Sequence, residues 1–161
     1  MALVTAVFAV LAIGWATGAP AQAAGFNSIN VLGGHHCLDN ATQDSAKLQM
    51  WNCTGGAEQK WLEEFNSRSF LYTFINQDTG RCMTAPSSGT GTVVMLTCNA
   101  AAANQQWNIF LSATLPAGQY EIWQNASSGF CLHTSSVGDG NLVDTAPCST
   151  LSLNQRWHTQ V

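Results

Sequence analysis

Apolar positions along this chain come in short runs, not at helical spacing. Ser28 to Leu32, Leu48-Gln49-Met50-Trp51, Ser69 to Ile75, Val94-Met95-Leu96, Tyr120 to Trp123 and Leu142-Val143-Asp144 each read as a strand. Turn-rich stretches such as Pro86-Ser87-Ser88-Gly89 and Gly138-Asp139-Gly140-Asn141 separate them. Beyond residue 24 no segment sustains a helical period with caps, and Ala100 to Ala103 offers one helical turn at most. The pattern predicts an all-β chain.

Residues 1–24 break the pattern. Ala2 to Trp15 is almost wholly apolar, and Gly18, Pro20 and Ala21-Gln22-Ala23-Ala24 follow. An apolar stretch ending in Ala-x-Ala has the form of a secretory signal peptide cut after Ala23 or Ala24, although no Lys or Arg precedes it. A membrane anchor needs about 20 apolar residues, and Gly14, Thr17, Gly18 and Pro20 interrupt too early. Residues 25–161 are then expected to form one secreted domain, with no membrane span in the mature chain.

Charge narrows the partners. Of 161 residues, 5 are Lys or Arg and 9 are Asp or Glu, giving a net charge of −4. No basic surface is available for nucleic acid, because phosphate contacts need clustered cations. Export also decides the chemistry of the six cysteines, since thiols oxidise outside the cell. No Cys-x-x-Cys pair is present, and the spacings do not suit zinc.

The cysteines stand at 37, 53, 82, 98, 131 and 148, so pairs taken in order are 16, 16 and 17 residues apart. Each pair is followed by a Gln-x-Trp triplet: Gln59-Lys60-Trp61, Gln105-Gln106-Trp107 and Gln155-Arg156-Trp157. Cys37-Leu38-Asp39, Cys82-Met83-Thr84 and Cys131-Leu132-His133 open the three units. These markers share one period, which identifies an internal threefold repeat. A propeller usually needs four or more blades, so three units suggest a threefold barrel. The spacing favours pairing within each repeat, but six cysteines allow 15 connectivities.

Over residues 28 to 161 the chain resembles the ricin B-type lectin family, the β-trefoil carbohydrate-binding module with three Gln-x-Trp repeats. The resemblance implies about twelve strands, a six-stranded barrel with three capping hairpins, and one disulfide in each repeat. It implies sugar binding with no catalytic activity and no cofactor. A pyranose offers paired hydroxyls and an apolar C–H face, which suit a carboxylate or amide and an aromatic ring respectively. In the family the Asp two residues after the first Cys takes the hydroxyls. An aromatic residue two before the second Cys forms the platform, and the Asn-Gln preceding x-Trp completes the pocket.

Repeat one matches with Asp39, Trp51 and Gln59, and Gln49 adds a polar group in the strand of Trp51. Glu58 stands where the family has Asn; it can accept from a hydroxyl, and it adds a second negative charge near Asp39. Repeat two has Thr84 and Leu96 at the key positions, and no sugar is expected there. Repeat three has His133 and Ala146, with Asp144 close enough to compensate in part; its one-residue insertion blurs the alignment. Trp61, Trp107 and Trp157 recur whatever else each repeat carries, so they are expected in the core, with their Gln residues as structural hydrogen-bonders.

Other constellations carry less. His35-His36 are adjacent and point to opposite faces of a strand, so no metal site is expected. Glu63-Glu64 diverge in the same way and read as a solvated surface, not as an acid–base pair. Asn40-Ala41-Thr42, Asn52-Cys53-Thr54 and Asn125-Ala126-Ser127 match the glycosylation sequon. The expectation is therefore a secreted lectin-like protein binding a galactose- or xylose-type sugar through Asp39, Gln49, Trp51, Glu58 and Gln59. One site alone binds weakly, so a homo-oligomer or a secreted partner protein is implied. The alternative is a protein-binding trefoil, an inhibitor or accessory subunit, that keeps the scaffold and has lost the sugar.

Overall fold

The computed structural model describes residues 25–31, 34–116 and 118–160. The leader expected over residues 1–24 lies outside them. Thirteen strands are present among the described residues. In repeat one these are β1 (Asn27–Val31), β2 (His36–Asn40), β3 (Leu48–Asn52) and β4 (Lys60–Asn66). Repeat two holds β5 (Leu71–Asn76), β6 (Cys82–Thr84), β7 (Gly91–Thr92), β8 (Val94–Leu96) and β9 (Trp107–Leu115). Repeat three holds β10 (Gly118–Asn125), β11 (Cys131–Thr134), β12 (Val143–Ala146) and β13 (Trp157–Gln160).

Antiparallel pairing closes a six-stranded ring: β1 with β4, β4 with β5, β5 with β9, β9 with β10, β10 with β13, and β13 back to β1. Closure leaves no barrel edge to template aggregation. The hairpins β2–β3, β6–β8 and β11–β12 are the three caps. They also meet one another, through bridges Lys47 to Val94 and Gln49 to Leu142 and through β12 on β7. This is a β-trefoil.

The Gln-x-Trp triplets explain why the sequence folds this way. Trp61, Trp107 and Trp157 are fully buried. Each donates its indole N–H to the carbonyl one residue after the first cysteine of its repeat: to Leu38 at 3.0 Å, Met83 at 3.4 Å and Leu132 at 3.1 Å. Each Gln closes the turn that follows the second cysteine. The Oε1 atoms of Gln59, Gln105 and Gln155 accept from the N–H of Thr54, Asn99 and Ser149. Their Nε2 atoms donate to the carbonyls of Asn52, Thr97 and Pro147. A buried polar group is tolerated when its bonds are made, and here one amide satisfies two backbone groups. Disulfides join Cys37 to Cys53, Cys82 to Cys98 and Cys131 to Cys148, pairing each repeat within itself. In the chain-entropy account each contributes about 3 kcal/mol.

Several expectations need correction. The thirteenth strand is β7, two residues long, which exists because the repeat-two loop reaches β12. Ser69 and Phe70 belong to a turn, and the strand starts at Leu71. The helical turn of repeat two is a 3-10 turn at Ala103–Gln105, not 100–103, because it is the start of the Gln-x-Trp segment; the same turn recurs at Ala57–Gln59 and Leu153–Gln155. Glu63 is not simply solvated: it accepts from Thr159 Oγ1 at 2.8 Å, and burial pushes its carboxyl above the usual range, opposed by that hydrogen bond and reinforced by Glu121.

Candidate functional site

The β2–β3 hairpin of repeat one brings the expected site residues together. Asp39 lies opposite Gln49, and Cys37 lies opposite Trp51. Side chains two apart on a strand share a face, so Gln49 and Trp51 project on the same side as Asp39. They line a cleft of about 110 Å³ with Thr42, Gln43, Thr54 and Glu58. Trp51 is 39% exposed, whereas Trp61, Trp107, Trp123 and Trp157 are buried. A tryptophan face left open beside a carboxylate is the arrangement that a pyranose C–H face and its hydroxyls can use.

Asp39 is only 4% exposed, so its charge needs internal support. Its Oδ1 accepts from Gln49 Nε2 at 2.9 Å, and its Oδ2 accepts from Gln59 Nε2 at 3.0 Å. An ionised carboxylate has about four lone-pair sites, so each oxygen keeps capacity for a hydroxyl. Burial pushes the Asp39 carboxyl above its ordinary range; the two amide donors oppose that, Glu58 adds to it, and Lys47 opposes it. Gln59 is itself fully buried and does not line the cleft. Its contact with the cleft is through Asp39, whose Oδ2 it holds from behind. Glu58 does line the cleft, where Thr54 Oγ1 donates to its Oε1 at 2.9 Å.

Thr42, Gln43 and Thr54 were not singled out by the sequence; only Thr54, next to Cys53, had a positional cue. Two further contributors come from repeat three. Asp139 Oδ1 accepts from the N–H of Asn52 at 2.7 Å and lies 3.1 Å from His36 Nε2. A Cβ on Gly140 would lie 3.8 Å from Cζ3 of Trp51, and Gly140 itself takes φ +78°. The N–H of Gly140 donates to Met50 and that of Met50 to Asn141, both within 2.9 Å. Repeat three thus clamps the strand that carries Trp51.

The other two repeats keep the Gln of the Gln-x-Trp triplet but differ at the positions of Asp39, Gln49 and Trp51. Thr84 replaces Asp39; it is buried, accepts from Gln105 and donates to the carbonyl of Cys82. Leu96 replaces Trp51, opposite Cys82. In repeat three Ala146 lies opposite Cys131, and His133 lies opposite Asp144. The inserted residue therefore sits in the loop 135–142, and Asp144 is the counterpart of Gln49. His133 Nδ1 is 2.6 Å from Asp144 Oδ1, so that carboxylate is occupied by its own cross-strand neighbour. Of the three sequons, Asn40 and Asn125 are buried with their amides spent on backbone carbonyls, whereas Asn52 is exposed.

Comparison with known proteins agrees with the fold. The family model for the ricin-type beta-trefoil lectin domain matches residues 22–107 and again 72–161. Nigrin b from Sambucus nigra is 26% identical over 120 residues, covering 73% of this chain and 19% of that protein. The chain thus spans about a fifth of that relative's length. The designed 3-fold symmetric protein ThreeFoil superposes with a TM-score of 0.72 at 20% identity, covering 85% of this chain and 99% of that one. The hemolytic lectin CEL-III superposes with a TM-score of 0.67 at 18% identity, covering 86% of this chain and 33% of that one.

Proposed function

The chain belongs to the ricin-type beta-trefoil lectin domain family, and on that premise we propose that it is a secreted lectin whose first repeat binds a galactose- or xylose-type pyranose. The observation that carries this reading is the coincidence of Asp39 and an exposed Trp51 on one face of a single hairpin. Asp39 accepts two vicinal hydroxyls. Trp51 lies under the C–H face. Gln49 fixes Asp39 and borders the ligand, and Glu58 accepts a further hydroxyl from the opposite wall. Gln59 holds the carboxylate from behind. No bond is made or broken in this account, and no cofactor takes part.

Secretion is supported by the apolar stretch of residues 1–24 and by three disulfides, which belong to an oxidising compartment. A cleft of about 110 Å³ with one aromatic wall gives weak affinity on its own. Useful strength then comes from linking sites, by self-association or by a partner that carries the module. A glycan array run with the mature protein beside Asp39→Ala tests the reading. Binding to a family of glycans that the substitution abolishes is the expected result. Silence from both proteins would instead favour a protein-binding trefoil.

A further inference from the structure

Glu58 occupies the place that Asn104 and Asn154 hold in the other two repeats, each in the middle of its 3-10 turn. Asn104 turns its Nδ2 onto the Ala85 carbonyl at 3.2 Å. An ionised carboxylate has no hydrogen to give, and Glu58 instead accepts from Thr54 Oγ1 at the wall of the cleft. A second exchange accompanies this one. The residues preceding the three turns are Gly56, Ala102 and Ser152. Gly56 takes φ −66°, which any residue adopts, so the backbone does not call for glycine there. A Cβ on Gly56 would instead run into both oxygens of the Glu58 carboxylate. The glycine leaves the room in which that carboxylate sits, and Gly56 with Glu58 stands only in the repeat that keeps Asp39 and Trp51.

The cleft therefore holds two carboxylates, Asp39 and Glu58, and no cation; its remaining lining is Thr42, Gln43, Gln49, Trp51 and Thr54. Among the described residues neither carboxylate is in an ion pair. Lys47 is near enough to favour the Asp39 charge, but Glu58 outweighs it, and Lys47 does not line the cleft. A neutral sugar gives its hydroxyl hydrogens to such a site and leaves the repulsion between the two charges in place. An ammonium group brings three donors and the opposite charge. It is also attracted to an open tryptophan face, which Trp51 presents.

We propose that repeat one selects an amino sugar, a pyranose whose amine is free and protonated, with the ammonium on Glu58 and neighbouring hydroxyls on Asp39. The proposal rests on the lectin reading of repeat one and narrows it to ligands that carry a cation. Acetylation of the amine removes the charge, so the N-acetyl sugar loses the advantage.

Three ligands that differ at one carbon make the test: methyl β-galactoside, its 2-amino-2-deoxy counterpart and the N-acetyl form of that amine. Each is titrated into the mature protein at neutral pH and low salt and followed at the Trp51 indole. The amine should bind about tenfold tighter than the neutral galactoside, the gain from a neutral to a charge-assisted hydrogen bond. Added salt should shrink that ratio. Glu58→Gln keeps the size and one acceptor oxygen, and should bring the ratio to about one. Gly56→Ala keeps every charge and should lower the ratio by displacing the carboxylate. Repeat two carries Ala102 and Asn104 at these places, so both variants should fold, with melting temperatures near that of the parent protein. Equal affinity of the wild type for the amine and the neutral galactoside, or preference for the N-acetyl form, overturns the proposal while the lectin reading stands. A ratio that Glu58→Gln or Gly56→Ala leaves unchanged also overturns it. Ethanolamine shifting Trp51 as strongly as the amino sugar at equal concentration overturns it in favour of an unselective cation contact. No response of Trp51 to any of the three glycosides removes the lectin reading of repeat one, and the proposal with it.

Discussion

Gln59 holds Asp39 from behind, with Nε2 3.0 Å from Asp39 Oδ2 while its Oε1 takes the N–H of Thr54 at 2.7 Å. The amide cannot turn over without losing both bonds, so the carboxylate is fixed by the same residue that closes the 3-10 turn. The repeat-two counterpart, Gln105, makes the same backbone bonds and reaches Thr84 in place of Asp39. Gln59→Ala and Gln105→Ala should each cost roughly 2–4 kcal/mol by orphaning buried partners. Only Gln59→Ala should also weaken sugar binding. Urea denaturation beside sugar titration separates the two effects; equal loss of binding in Gln105→Ala would refute the positioning role.

Trp51 and Trp61 make a second contrast. Trp51→Ala should leave stability within about 1 kcal/mol, because the ring is exposed, yet lower sugar affinity at least about tenfold. Trp61→Ala should cost about 3–5 kcal/mol, since it empties the core and strips the indole bond to Leu38. Thermal unfolding and glycan binding on the same samples check both.

How much of this was legible beforehand follows from its range in sequence. The cysteine spacing and the Gln-x-Trp triplets are local and repeated, so the threefold repeat could be read from them, and the family resemblance they carry implied the trefoil and one disulfide in each repeat. Asp39 and Trp51 could be picked out by their offsets from Cys37 and Cys53 for the same reason; that they lie on facing strands is what the structure adds. The clamp by Asp139 on Asn52 spans 87 residues and leaves no local pattern. It arises only once the three hairpins meet. Phe70 lies in the stretch Ser69 to Ile75, whose aromatic residues favour a strand; the Asn66 turn overrides that preference at Ser69 and Phe70.

The clamp gives a prediction that sequence order alone would not. Asp139→Ala removes the acceptor of Asn52 N–H and the partner of His36. It lies in repeat three, yet it should lower repeat-one sugar affinity several-fold with little change in melting temperature. Gly140→Val adds a side chain at φ +78° against the Trp51 ring, and should cost about 1–2 kcal/mol of stability and more of the binding. Isothermal titration of both variants provides the check.

Protonation of Asp39 links pH to both binding and stability, with opposite signs. On the proposed reading the carboxylate is the form that accepts the sugar hydroxyls, so affinity should fall as pH drops through the Asp39 value, which burial raises above the usual 3.8. The folded protein then holds this proton more tightly than the unfolded chain. Its contribution to stability is fully present below the unfolded value and is lost as pH rises through the folded one. Glu63 shifts in the same direction, so the test is the difference between wild type and Asp39→Asn. That difference should decline with rising pH across the acidic range, and Asp39→Asn should bind no sugar at any pH.

The most direct test of the central claim is an NMR titration of the ¹⁵N-labelled mature protein with the glycan that binds it. The Trp51 indole N–H and the amides of Asp39, Gln49 and Glu58 should move together along one saturating curve, while the indoles of Trp61, Trp107 and Trp157 stay still. Movement centred on His133 and Asp144 or on Thr84 and Leu96, with Trp51 unmoved, would contradict the assignment of the sugar to repeat one.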